Sequence, residues 1–243
     1  QFFPDNYTIA VGKNSQFVYE CDYATMKRGG RMTPRQKKKR SELEKHFRPP
    51  PGAIKKSFSR ALEPARRKPR SVDRPLILYT DEKIDYRRAL WRSAENKKRM
   101  FSGEWRHHMT NSQVGRNTRN PLFSANYIDR EIRKDMASHA RETVQFPRNA
   151  SNAMLRMNLY MYDHNVRKPY RIRSKGTESQ MTHAEKAGLS RERLLGITRG
   201  FFSCRFFRPS GFCVSESARR TLAREWKTPL KKRLERLPNH LAV

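Results

Sequence analysis

The chain has 243 residues, 54 Lys or Arg against 23 Asp or Glu, a formal net charge of +31 and an apolar fraction of 35%. No apolar run approaches the roughly 18 residues that cross a bilayer, and the three cysteines, Cys21, Cys204 and Cys213, form no CxxC pair of the zinc or thioredoxin type. A cationic excess of this size repels itself in a compact state unless a polyanion neutralises it, so structured RNA is the expected partner, and neither a membrane nor a small-molecule substrate is expected.

The charge is spread along the polymer. Residues 27–70 hold 17 Lys or Arg against 3 acids, and residues 148–243 hold 21 against 7. Residues 1–26 differ, with Lys13 the only base against Asp5, Glu20 and Asp22. Four segments are therefore expected: a protein-docking segment at 1–32, a basic helix and extended Pro-rich arm at 33–75, a helical RNA-binding core at 76–147 and a basic extension at 148–243. With 14 prolines and few apolar residues, two well-filled cores are not expected. The fold class predicted is mainly α, a small helical core with long basic extended arms and possible short strands. Reduced or buried thiols are expected, and the start at Gln1 points to an N-terminal piece that was cleaved or is missing; an organelle presequence there would have taken its Arg-rich signature with it.

In chain order, Tyr7, Ile9, Val11 and Phe17 to Tyr19 flank Gly12-Lys13-Asn14-Ser15, a pattern of two short strands around a turn. Thr33, Pro34 and Gln36 supply an N-cap, a proline at the first helical position and a capping-box partner, which predicts a helix over 34–47. It carries Arg35, Lys37, Lys38, Lys39 and Arg40 with little apolar stripe beyond Leu43 and Phe47. From Pro49 to Pro75 the mixture of prolines and bases reads as an extended arm. Leu76 to Tyr79 is a strand candidate. A helix from about Tyr86 to Met100 has one packing face, and Arg87, Arg88, Arg92, Lys97 and Lys98 in other directions.

Gly103 to Asn120, with Arg116 and Arg119, reads as a loop. Ile128, Ile132, Met136, Ala140 and Val144 recur every four residues, with Ser124 or Asn126 as cap and Pro147 as stop, and predict a second helix whose other side offers Arg130, Arg133, Lys134 and Arg141 to phosphates. Met154 to Tyr162 reads as helix or strand, and Phe201, Phe202, Phe206 and Phe207 around Cys204 as a strand. Short helices are expected from Ser215 to Trp226 and over 229–237.

Chemistry is sparse. Gly29-Gly30 lacks the spacing with which backbone amides cradle phosphate. His107 and His108 with Glu104 and Asp81, or Cys204 and Cys213 with His183, make weak metal or acid–base sets, and no carboxylate cluster for divalent ions stands out. No catalytic residue, metal or cofactor is expected. Tyr160, Tyr162, Tyr170, Phe206 and Phe207 are stacking candidates, each weighed against plain core packing.

Several pieces of 76–147 carry a likeness: Ile84-Asp85-Tyr86-Arg87-Arg88-Ala89-Leu90, the loop Gly115-Arg116-Asn117-Thr118-Arg119, the lead-in Asn120-Pro121-Leu122-Phe123-Ser124-Ala125, and the close His139-Ala140-Arg141-Glu142 with Pro147. Their order resembles the eighteenth protein family of the bacterial-type small ribosomal subunit. Ser124 stands where that family has a cysteine, and Asp129, Glu131 and Asp135 interrupt a helix that is more uniformly basic there. The resemblance implies a structural role in a mitochondrial ribosome of the organelle matrix, contact with ribosomal RNA through Arg87, Arg88, Arg116, Arg119 and Arg141, and pairing with the sixth small-subunit protein among neighbouring ribosomal proteins. An RNA-processing or modifying enzyme, and a basic subunit of another large mitochondrial assembly, are the alternatives.

Overall fold

The computed structural model describes residues 4–68, 70–111, 113–140, 150–171 and 180–203. Roughly half of these residues are helical and 16% lie in two small sheets, so the fold is mixed α and β, not mainly α.

The first sheet is the expected hairpin. β1 (Asp5–Val11) pairs antiparallel with β2 (Val18–Thr25), with a bulge at Ala10/Val11. Its turn needs a left-handed residue, supplied by Gln16 at φ 55°. α1 (Pro34–Glu44) follows, its Thr33/Gln36 capping box formed on both sides. None of its residues is buried, as its missing apolar stripe dictates.

The Pro-rich arm is where the sequence reading fails. Ala53–Ala61 is helix α2 and Glu63–Arg66 a short α3. The prolines sit at the boundaries, Pro51 ahead of α2 and Pro64 in the first turn of α3, where a missing N–H costs nothing. Between them Phe58, Ala61 and Leu62 recur at helical spacing and are buried.

β3 (Leu76–Asp81) pairs in parallel with β4 (Trp105–Thr110), matching Leu76 with Trp105 and Tyr79 with His108. β4 lies in the stretch expected to be a loop. Its Trp-Arg-His-His-Met-Thr sequence has no clean alternation, and tertiary pairing makes the strand. α4 (Ile84–Arg92) and α5 (Ala94–Phe101) form the crossover. They divide the single helix expected there, because Ser93 leaves the helical region (φ −83°, ψ 120°) and caps α5 by accepting from the Asn96 N–H. Phe58, Leu62, Ala89, Leu90 and Trp105 close one core over β3. Burying Leu90 completely contributes roughly 1.5–3 kcal/mol.

α6 (Phe123–Asp135) ends nine residues before Val144, and Ala137–His139 is a 3-10 turn. Its N-terminus gets no side-chain cap: Ser124 instead donates to the Lys13 carbonyl at 2.5 Å. α7 (Ala150–Tyr162) resolves the helix-or-strand question as helix, and runs into a π-helical turn, Asp163–Arg167. α8 (His183–Lys186) and α9 (Arg191–Ser203) complete the described chain. Phe201 and Phe202 lie in α9 and not in a strand, whereas Cys204, Phe206, Phe207, Cys213 and the two last expected helices lie outside the described residues.

Val18, Cys21, Ile128, Ile132, Met157 and Tyr160 form the second core, joining the N-terminal hairpin to α6 and α7. α2 holds the two cores together. Its Phe58 enters the first, its Ser57 donates to Thr8 of β1 at 3.0 Å, and its Arg60 meets Asp22 of β2 at 2.7 Å.

Candidate nucleic-acid interface

The bases named from the sequence fall into three physical classes. Those on α6 are compensated. Arg133 pairs with Asp129 at 2.8 Å, while Lys134 and Arg130 lie 3.7 and 3.8 Å from Glu131. With Asp135 included, α6 carries three bases and three acids, so it offers phosphate little net field. Arg141 lies outside the described residues.

On α1, Arg35, Lys37, Lys38 and Lys39 are exposed and form no ion pair among the described residues. Arg40 is turned inward, pairing with Glu44 and donating to the Arg28 carbonyl at 3.0 Å. Thus α1 presents four cations on a helix held by its cap and the Lys27–Glu44 and Arg40–Glu44 pairs.

On α4, burial of Ala89 and Leu90 fixes the orientation of the whole helix. The opposite stripe, Ile84, Arg87, Arg88, Trp91 and Arg92, is exposed at i, i+3, i+4, i+7 and i+8 spacing. None of the three arginines forms an ion pair among the described residues. α5 continues this surface with exposed Lys97 and Lys98, while Glu95 is occupied by Arg99 at 3.0 Å.

Arg116 and Arg119 are exposed in the loop ahead of α6. That loop is ordered from within. The Asn120 amide donates to the Val114 and Gly115 carbonyls at 3.3 and 3.0 Å and its side-chain oxygen accepts from the Leu122 N–H.

Of the aromatic candidates, Tyr160 is buried, Tyr162 donates to Thr198 at 3.0 Å and Tyr170 donates to the Asn14 carbonyl at 2.8 Å, all internal work. Of the other aromatics, Tyr19 of β2 is 48% exposed, and two on the α4–α5 surface are open. Trp91 is 40% and Phe101 72% exposed. Their appeal was hidden in the sequence because both sit in apolar helical patterns; the doubled apolar pair Leu90-Trp91, of which one helix face can bury only one, was the available signal.

Among the described residues, chemistry-bearing groups do not converge elsewhere. His107 is half-buried and 2.8 Å from the Thr80 hydroxyl, with burial, then His108 and Arg87, pushing its pKa down. His108 points away and stacks on Tyr79, and Asp81 accepts from the Lys83 N–H. His183 is buried against His164, while Cys204 and Cys213 lie outside the described residues. The Cys21 thiol is buried, and burial, followed by the charges of Asp22 and Glu20, raises its pKa. No group of three or more His, Cys, Asp or Glu able to hold a metal gathers among the described residues, and none of their helices is long and apolar enough to cross a membrane.

The chain matches no known family, no curated protein and no solved structure. Its surface has to be read from its own geometry.

Proposed function

We propose that the chain binds nucleic acid by neutralising the phosphate backbone, with the α4–α5 face and α1 as its contact surfaces. The observation that carries this is the outward stripe of α4: Arg87, Arg88 and Arg92 form no ion pair with any described acid, although the same protein pairs the bases of α6 with neighbouring carboxylates. A solvated helix face with no anionic partner gains nothing from three unpaired guanidiniums, whereas each one set against a phosphate releases condensed counterions. The role is bracing and neutralisation. Membership of a mitochondrial small ribosomal subunit would be one setting for it, and that narrower reading rests on the resemblance over residues 76–147 alone.

The experiment is a salt titration of affinity for a folded RNA and for a duplex DNA of equal length, with the native protein and with R87Q/R88Q/R92Q. Each lost phosphate contact lowers the slope of log K against log salt by about 0.7–0.9, so the triple variant is expected to flatten the slope by roughly 2 to 3 on the preferred polymer. An unchanged slope, or affinity insensitive to salt in the native protein, overturns the proposal.

A further inference from the structure

The α4–α5 surface holds more than charge. Trp91 closes the outward stripe of α4 and Phe101 ends α5, and the break at Ser93 folds α5 back so that the two rings meet edge to face, with centroids 5.8 Å apart and planes at 76°. Lys97 Nζ sits 5.7 Å from the centre of the Phe101 ring, and Arg88, Arg92 and Lys98 are exposed beside the pair. Core packing does not use these rings: the first core is closed by Phe58, Leu62, Ala89, Leu90 and Trp105 on the other side of α4. A phenyl group left 72% open forfeits most of the burial that normally keeps Phe in a sequence.

From this juxtaposition of exposed Trp91 and Phe101 with Arg88, Arg92, Lys97 and Lys98, we propose that the α4–α5 corner is a stacking platform for unpaired nucleobases, so that the preferred ligand is single-stranded or locally unpaired nucleic acid. The inference rests on the nucleic-acid reading above and narrows its substrate class. An aromatic face accepts any base, because every base has a π surface, while the flanking cations track the phosphates between successive bases. The rim of cations is what selects this occupant over an apolar protein segment: a hydrophobic partner would have to desolvate or cover four charged groups around two rings, whereas a polynucleotide satisfies rings and charges together. A base-paired duplex presents its phosphates but keeps its bases stacked inside, so it would engage only the cationic part.

Four probes of equal length separate the parts: oligouridylate, oligothymidylate, an abasic phosphodiester strand and a duplex. The variants are W91A/F101A, W91L/F101L and W91F, with R87Q/R88Q/R92Q alongside, and each is first checked for a native unfolding midpoint. Both aromatics are exposed, so the double variants are expected to fold; W91F serves as the conservative control and is expected to bind like the native protein. Removing both rings is expected to weaken binding of the base-bearing single strands about tenfold or more, to leave the abasic strand and duplex within twofold, and to show the same loss for alanine and leucine. Ratios of the uridylate to the thymidylate arm report whether RNA or DNA is the source of the bases. Single-strand affinity preserved in W91A/F101A, or in W91L/F101L, overturns the stacking platform, as does an equal loss on all four probes. If R87Q/R88Q/R92Q leaves every probe unaffected, the nucleic-acid reading itself fails, a result distinct from loss of stacking alone.

Discussion

The turn between β1 and β2 is gripped by the C-terminal half of the chain through two stacked imidazoles, and this makes stability depend on pH in a calculable way. Neutral His164 donates from Nε2 to the Gln16 carbonyl at 3.0 Å, and His183 donates from Nδ1 to the Ser15 carbonyl at 2.9 Å. Asn165 pairs with both the N–H and the carbonyl of Val18 at 2.9 Å. The two rings lie 3.9 Å apart at centroids and only 2% exposed. Two imidazolium charges at that separation would repel by about 4 kcal/mol at an effective dielectric of 20. Burial, then the neighbouring His183, pushes the His164 pKa down to about 4 from 6.5, and burial lowers His183 as well. Lys168 opposes protonation of both, whereas Asp163 and the two carbonyls favour it; Tyr160 stacks on His164, and Tyr170, with Lys186 over its ring, packs on His183.

Because the folded pKa is depressed, the unfolded chain binds protons more readily. The stabilisation is complete above about pH 6.5 and drains away as pH falls toward 4. Between pH 7.5 and 5.5, where carboxylates hardly titrate, His164 accounts for a loss of about 1.4 kcal/mol. That corresponds to a fall in Tm of roughly 3–6 °C for a chain of this size. Circular dichroism melts at pH 7.5 and 5.5, in constant salt, measure it against H164Q, whose amide can still donate to the Gln16 carbonyl but does not titrate. The native protein should lose more Tm than H164Q does over the same interval. Equal losses would refute the argument that a buried neutral imidazole carries the pH dependence.

Two further outcomes test the packing. R60M removes the cation from the fully buried Asp22 carboxylate, and since Arg60 itself is one-fifth exposed the cost should sit near the lower end for broken buried pairs, about 3 kcal/mol by urea unfolding; R60M/D22N should recover part of it. Replacing residues 27–52 by a Gly/Ser linker removes α1 and should leave the unfolding midpoint nearly unchanged, because no α1 residue is buried, while removing 27–70 should abolish cooperative unfolding, because Phe58, Ala61 and Leu62 leave with it. A cooperative native-like transition in the longer deletion would refute the placement of α2 between the cores.

Local chemistry was readable wherever a few neighbouring residues settle the outcome. Thr33, Pro34 and Gln36 start α1 in the way a capping box requires. The apolar alternation around Gly12 to Ser15 specifies the hairpin, and the four-residue recurrence of Ile128 and Ile132 specifies the buried face of α6. The excess of cations was equally plain, and so was the poverty of α1 in core residues. Over 49–75 the positions of the prolines matter more than their density: Pro51 and Pro64 bound a helix, and the stripe of Phe58, Ala61 and Leu62 lies between them.

Contacts between distant residues decided the rest. Trp105 to Thr110 is a strand only because β3 lies beside it, and α2 is stabilised by one core and by polar contacts to the hairpin, neither of which a local window contains. The same holds for the surface. Whether Leu90 or Trp91 faces outward depends on which side of α4 meets Phe58 and Trp105, and whether the His164 imidazole stays neutral depends on its burial beside His183, against a turn 148 positions away. A side chain's charge is a property of composition; its direction and its neighbours are set by packing, since burial energy is gained only after chain segments far apart in order have met.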